Sequence, residues 1–305
     1  MTRVLVTGAT GQVGVDLTDT LMGGSPPGSD VTFQPDATTV DGDEFEVVGL
    51  GHRELDVTDR DAVRRTLDAV RPDVVVNLAA YTAVDRAESD PEACFAVNAG
   101  ATESLSLVAH DIGAHFVTVS TDYVFDGMKG DAYLEDDAPN PLNVYGASKL
   151  ASEMFCDEGD TVVRTSWVMG VRGKSVLHAI AHRALSGESV RFVDDQMGTV
   201  TVASDLARAL VTVVRARPGG CLHVANTGAT TWFDVARFAG AVLGRGEDFA
   251  TPIATSDLDP PPAARRPPRS DLATVTWQSR GWSALPDWRD GVSRLLASRG
   301  RGVAS

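Results

Sequence analysis

Lysine is nearly absent: Lys129, Lys149 and Lys174 are its three occurrences in 305 residues, and 27 basic residues face 42 acidic ones for a net charge of -15. A surface of that sign repels nucleic-acid phosphates and anionic lipid, which speaks against a nucleic-acid-binding or membrane-surface role. Cysteine is scarce too. Cys94, Cys156 and Cys221 are odd in number and lack the short paired spacing of zinc or redox sites, so they read as packing residues in a reducing compartment. No apolar run is long enough to cross a bilayer. Strand-like residues begin at Arg3-Val4-Leu5-Val6, leaving no basic n-region and h-region of a secretory signal, so a soluble cytoplasmic protein is expected. Acidic, lysine-poor composition suits life in high salt, and a GC-rich genome that favours arginine over lysine accounts for it equally well.

What is present is a regular alternation. The runs Val4 to Thr7, Glu46 to Leu50, Asp73 to Leu78, His115 to Ser120 and Thr161 to Arg164 read as buried strands. Gly11 to Met22, Arg60 to Val70, Pro91 to Asp111 and Val144 to Cys156 between them carry helical periodicity. Such alternation predicts an α/β fold with a Rossmann-like doubly wound parallel sheet. Residues 1–165 are expected to form the NAD(P)-binding body, with a surface insertion at 23–43 and part of 190–225 returning to the sheet. Residues 166–305 are expected to be mainly a smaller substrate-binding lobe. In it Arg191 to Val193 and Leu222 to Val224 read as strands, Asp205 to Arg215 and Trp232 to Leu243 as helices, and Pro260 to Pro268 as a proline-arginine loop.

Gly8-Ala9-Thr10-Gly11-Gln12-Val13-Gly14 follows the first strand and opens the first helix, the context in which a glycine pattern cradles phosphate. Missing side chains let the backbone approach a pyrophosphate, and helix N-terminal amides favour its charge. The G-x-x-G-x-x-G spacing points to the short-chain dehydrogenase type. Where the usual NAD fingerprint carries an acid after the second strand, Gly51-His52-Arg53 stands here. Arg53 is a candidate for the 2′-phosphate of NADPH, or a solvated loop residue. Asp56-Val57 is placed for an adenine contact, with Asp56 alternatively capping the next helix. Asn77-Leu78-Ala79-Ala80 ends the third strand with small residues that let a cofactor pass closely, or that serve packing.

The fourth strand delivers Thr121, Asp122 and Tyr123 to the crevice, where a hydroxyl can hydrogen-bond a substrate carbonyl. Thr121 is the candidate, and Ser120 takes its place if the strand slips by one residue. Tyr145 and Lys149 lie one helical turn apart in Tyr145-Gly146-Ala147-Ser148-Lys149, so the ammonium is expected to favour the phenolate and to make Tyr145 a proton donor near neutral pH. Together these parts describe a carbonyl reductase: a dinucleotide for hydride, Thr121 to polarise, Tyr145 to protonate, and Lys149 to tune Tyr145 and hold the nicotinamide ribose.

Asn77 to Glu88, Ser120 to Gly127 and Pro141 to Leu150 resemble the dTDP-4-dehydrorhamnose reductases of the extended short-chain dehydrogenase/reductase superfamily. Further similarity lies at Arg164 to Val168, Asp195 to Thr199, Arg265-Arg266-Pro267 and Leu285 to Trp288. The resemblance implies reduction of the C4 ketone of dTDP-4-dehydro-β-L-rhamnose with NADPH or NADH, in nucleotide-sugar synthesis for cell-surface polysaccharide. It places catalysis on Thr121, Tyr145 and Lys149, and sugar contacts on Tyr123 and Trp167, which as aromatics also suit a core or lid. Only Asp16 matches the acidic residues through which some members hold a magnesium ion, so no required metal is expected. A monomer or homodimer acting on a small-molecule nucleotide sugar follows. Two rivals stand beside it: another nucleotide-sugar reductase or epimerase of the same fold, and a non-catalytic dinucleotide-binding regulatory subunit.

Overall fold

A computed structural model describes residues 1–302 except 31, 32, 37, 38 and 174. The first half runs β1 (Thr2–Thr7), α1 (Gln12–Leu21), β2 (Phe45–Leu50), α2 (Arg60–Val70), β3 (Val74–Asn77), α3 (Val84–Ala87) and α4 (Pro91–Phe95). A π-helical turn, Ala96–Gly100, then leads into α5 (Ala101–Asp111), β4 (His115–Thr121), α6 (Val144–Glu153) and β5 (Thr161–Thr165). The second half is more broken: β6 (Val168–Met169), α7 (Val176–Leu185), β7 (Val190–Val193), β8 (Met197–Thr199), β9 (Thr201–Val202), α8 (Ala203–Ala216) and β10 (Gly220–His223). It closes with β11 (Asn226–Thr227), β12 (Ala229–Thr231), α9 (Trp232–Val242), β13 (Ala250–Ile253), α10 (Val275–Ser279), β14 (Leu285–Asp287) and α11 (Trp288–Gly302).

One parallel sheet carries the order β10-β5-β4-β3-β1-β2. Its inner strands β1 and β3 are mainly apolar because both faces are covered. Val4, Val6, Val74, Val76 and Val117 point to one side, into a core with Leu17 and Leu21 of α1 and Leu206, Leu210 and Val214 of α8. Leu5, Val75 and Phe116 point to the other, against Val63 and Leu67 of α2 and Leu105 and Val108 of α5. That one-residue alternation is the strand period of two made visible in packing. A second core joins Leu177 and Ile180 of α7, Val235 and Ala239 of α9, Phe249, and Trp288 and Val292 of α11.

Arg191 to Val193 belongs to β7, which pairs with β13 in this second lobe, whereas β10 returns to the edge of the main sheet beside β5. The insertion, where described, is pinned to the body. Arg215 of α8 donates to Glu44 at 2.7 Å, to Asp36 at 3.0 Å and to the Thr39 carbonyl at 2.9 Å, and Phe33 is buried in the main core. Its residues 31, 32, 37 and 38 lie outside the described ones.

Candidate active site

The order of strand addition reverses at β1, with β2 on one side and β3 on the other, and a crevice opens at the carboxyl ends of these parallel strands as such sheets require. Gly8 makes the first turn with φ +64°, and its α-carbon is so close to the third strand that a Cβ would stand 2.6 Å from the Leu78 carbonyl carbon. Gly14 packs the helix onto the turn equally tightly: a Cβ there would meet the Gly8 oxygen at 2.2 Å. Gly11 precedes α1 without any side-chain cap, so the helix presents its first amides to the crevice. Uncapped amides, close-packed glycines and a wall of Leu78 and Ala80 fit a dinucleotide pyrophosphate.

The cleft holds about 490 Å³ and gathers most of the residues singled out in the sequence: Gly8, Gly11, Gln12, Val13, Gly14, Leu78 and Ala80 at one end, and Thr121, Asp122, Tyr123, Tyr145, Lys149 and Trp167 at the other. Arg53, Asp56, Val57 and Ala79 are not among its lining residues. Arg53 is exposed on the loop after β2. Asp56 accepts from the Thr58 amide and hydroxyl at 3.0 and 2.7 Å, while the cap of α2 is Asp59, whose carboxylate accepts from the Ala62 amide at 2.9 Å. Val57 is buried beside Leu55 under α2. Asn77 clamps strand ends, accepting from the Thr7 hydroxyl at 2.7 Å and donating to Thr102 at 3.1 Å.

Ser120 and Thr121 divide as their alternation dictates. Ser120 lines the cleft edge but spends its hydroxyl on Glu153 of α6, whereas the Thr121 hydroxyl is a neighbour of the Tyr145 phenol and favours its ionised form. Helix α6 starts where Asn143 caps it, its side chain accepting from the Gly146 amide at 2.7 Å, which places Tyr145 in the first turn and Lys149 one turn on. Lys149 is 2% exposed. Burial pushes its ammonium down to about 8, with Glu153 opposing, and pushes the Tyr145 phenol up to about 12, with Thr121 opposing. The expected depression of Tyr145 by Lys149 is not found: Lys149 is not among the groups that shift the phenol, and desolvation acts on both groups and favours their neutral forms.

Several supports carried no sequence signal. Asn98, in the π-helical turn, donates to Ser148 at 2.8 Å and accepts from the Tyr81 amide at 2.8 Å, tying the loop after β3 to α6. Glu153 holds Arg164 through two hydrogen bonds of 3.0 and 2.7 Å beneath Lys149. Glu54 turns its carboxylate back onto the Gly51 amide at 2.9 Å, putting an acid after β2 beside Thr10 of the glycine turn. Trp167 adopts φ +41° and stacks on Trp232 with ring centroids 4.2 Å apart. Tyr123 meets Tyr145 edge to face at 6.0 Å and lies beside Arg266, whose charge favours its phenolate.

Asp16 is buried in α1, its nearest cation Arg172 at 4.0 Å, and burial pushes its carboxyl up to about 6. Among the described residues no three His, Cys, Asp or Glu side chains gather as a metal site. The three cysteines are free; burial raises the thiol pKa of each. No described helix is long and apolar enough to cross a membrane.

A glycine-turned Rossmann crevice that ends on a hydroxyl, a tyrosine and a lysine defines the short-chain dehydrogenase/reductase class. The family model described as RmlD substrate binding domain matches residues 1–300. The chain is 38% identical to the dTDP-4-dehydrorhamnose reductase of Burkholderia thailandensis, over 95% of this chain and 96% of that one. It is 33% identical to the dTDP-4-keto-6-deoxy-D-glucose reductase of Streptomyces niveus, with 96% of each covered. The crystal structure of dTDP-4-dehydrorhamnose reductase from Bacillus anthracis in complex with NADP superposes with a TM-score of 0.85 at 29% identity, covering 97% of this chain and 99% of that chain. The chain belongs to the dTDP-4-dehydrorhamnose reductase family.

Proposed function

We propose that this protein reduces the C4 ketone of dTDP-4-dehydro-β-L-rhamnose to dTDP-L-rhamnose with NADPH or NADH. The observation that carries the reading is the meeting of Thr121, Tyr145 and Lys149 at the end of a glycine-turned crevice, in a chain whose whole length matches these reductases. The uncapped amides of α1 with Gly11, Gln12 and Val13 hold the pyrophosphate, and Leu78 and Ala80 flank the riboses. Bound NAD(P)H supplies the hydride. Thr121 donates a hydrogen bond to the ketone oxygen, Tyr145 gives that oxygen its proton, and Lys149 holds a positive charge behind the phenolate that forms. Tyr123 and Trp167 flank the deoxysugar. Residues 1–165 with β10 serve the cofactor and the remainder mainly the sugar nucleotide, in a cytoplasmic monomer or homodimer.

The test is to supply dTDP-4-dehydro-6-deoxyglucose with and without a 3,5-epimerase, follow NADPH absorbance, and identify the product by mass and NMR. dTDP-L-rhamnose formed only with the epimerase supports the reading. The Streptomyces niveus relative favours a second one, reduction of the unepimerised ketosugar, and equal turnover without the epimerase would establish it.

A further inference from the structure

Asp122 is the ionisable group of the cleft that this scheme leaves without a task. Its carboxyl is 2% exposed. No described ion pair includes it; its partners are the Ser270 hydroxyl, donating at 2.6 Å to Oδ2, the Thr121 hydroxyl at 3.1 Å from Oδ1, and the amides of Asp122 and Tyr123. A buried carboxylate without a cation is costly, and burial pushes this one up to about 7.

Counting protons at Thr121 gives the carboxyl a role. A threonine hydroxyl has one proton and two lone pairs. The Tyr123 amide donates into one lone pair at 3.2 Å, which leaves Asp122 Oδ1 and the Tyr145 phenol as the remaining neighbours. If Asp122 is ionised, its charge-assisted bond takes the Thr121 proton, and Thr121 has none left for a ketone oxygen. If Oδ1 carries a proton, the bond reverses. Asp122 then donates into the second lone pair, the Thr121 proton turns to the ketone, and Tyr145 has no acceptor at Thr121 to compete with the substrate. Charge works in the same direction: ionised Asp122 raises the phenols of Tyr145, from α6, and Tyr123, on its own turn, and so opposes proton release from Tyr145. Arg266, paired with Asp85, is the cation of this group and reaches Tyr123.

We infer that Asp122 is a positioning residue that works as the neutral carboxylic acid, donating to Thr121 so that Thr121 donates to the substrate ketone. Ser270 selects the oxygen, since its hydroxyl occupies Oδ2 and leaves Oδ1 to carry the proton. Ser270 itself is fixed by its amide, which donates to the Met197 carbonyl at 2.8 Å. The role rests on the reductase reading.

The experiment is a pH profile of kcat for the full chain saturated with NADPH and ketosugar, for wild type, Asp122→Asn, Asp122→Ala and Ser270→Ala, with a melting curve for each. In the wild type, activity falls as pH rises through about 7, where Asp122 ionises. Asparagine donates to Thr121 at every pH, so Asp122→Asn moves the alkaline limb up to that of Lys149 near 8 and turns over several-fold faster than wild type at that pH. Ser270→Ala removes a donor that favours the carboxylate and also moves the limb upward. Asp122→Ala loses at least about tenfold in kcat at every pH. An Asp122→Asn limb coincident with the wild type, or an asparagine variant as slow as the alanine one, overturns the inference. If the wild type reduces no ketosugar, the functional reading has failed and a carbon-13 titration of the Asp122 carboxyl decides. A midpoint near 7 upholds the neutral acid, and one in the ordinary carboxylate range overturns it.

Discussion

Arg266 holds Asp85 through both terminal guanidinium nitrogens, at 2.6 and 2.7 Å, across 181 residues of chain. The Ala264 amide adds a third bond to Asp85 at 3.0 Å, and Asn143 donates to the Arg265 carbonyl at 2.8 Å. The proline-arginine loop is thus a strap laid over the first turn of α6, with Arg266 bracing Tyr123 at the cleft mouth. Arg266→Ala should raise the ketosugar KM roughly fivefold, the equivalent of about 1 kcal/mol, while NADPH affinity stays within about twofold. Arg266→Lys should recover little of this, because an ammonium cannot reproduce the paired geometry. Steady-state kinetics beside a cofactor fluorescence titration would separate the two effects, and an equal loss of cofactor affinity would assign the strap to the dinucleotide instead.

Gly14→Ala sets a methyl against backbone atoms that cannot rotate away, the Gly8 oxygen at 2.2 Å and Ala9 Cα at 2.7 Å. The turn must open to admit it. NADPH affinity should fall at least about tenfold, with a Tm lower by several degrees, as overpacking of about 1 to 3 kcal/mol implies. Unaltered NADPH binding would remove the turn from the cofactor site.

Tyr145→Phe deletes the proton donor and little else. A drop in kcat of at least about a hundredfold, the low end for general acid catalysis, should leave NADPH affinity nearly unchanged. Full activity in this variant would hand the proton to another group, and the absence of turnover in the wild type would favour a regulatory subunit.

Gly198 lies under the Trp167 indole, where a Cβ would come within 2.6 Å of Cε2 and Cζ2. Trp167 already sits in a left-handed conformation that costs a non-glycine residue about 1 to 3 kcal/mol. Gly198→Ala should therefore dislodge the indole from Trp232 and raise the ketosugar KM several-fold, with an altered near-ultraviolet circular dichroism spectrum. An unchanged spectrum together with an unchanged KM would take Trp167 out of the sugar site.

His223 is fully buried, its Nδ1–H shared between the carbonyls of Tyr133 at 3.1 Å and Ala273 at 3.0 Å. Burial, helped by Arg164, pushes it down to about 3. The unfolded chain then binds a proton below about 6.5 that the native one refuses, so stability is lost as pH falls from about 6.5 towards 3. Asp16 acts with opposite sign, because its raised native value makes folding take up a proton as pH falls through about 6. Denaturant unfolding between pH 7 and 4 should show a flatter acid loss in His223→Gln and a steeper one in Asp16→Asn than in the wild type. Parallel curves would mean that neither group titrates on unfolding.

The five strands of the first half and the glycine turn were legible because each is local: a run of β-branched residues, or a spacing that begins a helix. Thr121, Tyr145 and Lys149 were legible for the same reason. Ser270 acts through a contact across 148 residues of chain, and Asp85 and Arg266 through one across 181, pairings that no local pattern encodes. The second lobe's strands of two to four residues are too short to show a period of two. The break in Pro91 to Asp111 was hidden because a π-helical turn keeps helical composition while adding one residue to the loop of each hydrogen bond.

The placement of β10 beside β5 also sets an order of events during synthesis. When a ribosome has released the chain only as far as α8, β5 still shows an open row of amides and carbonyls along the rim of an otherwise assembled sheet. Residues 220–223 cover that rim, and they emerge only after the strands β6 to β9 and the helix α7 have been made. The nascent protein therefore carries a sticky edge through roughly a fifth of its translation, and an acidic surface that keeps neighbouring chains apart is most useful in that interval.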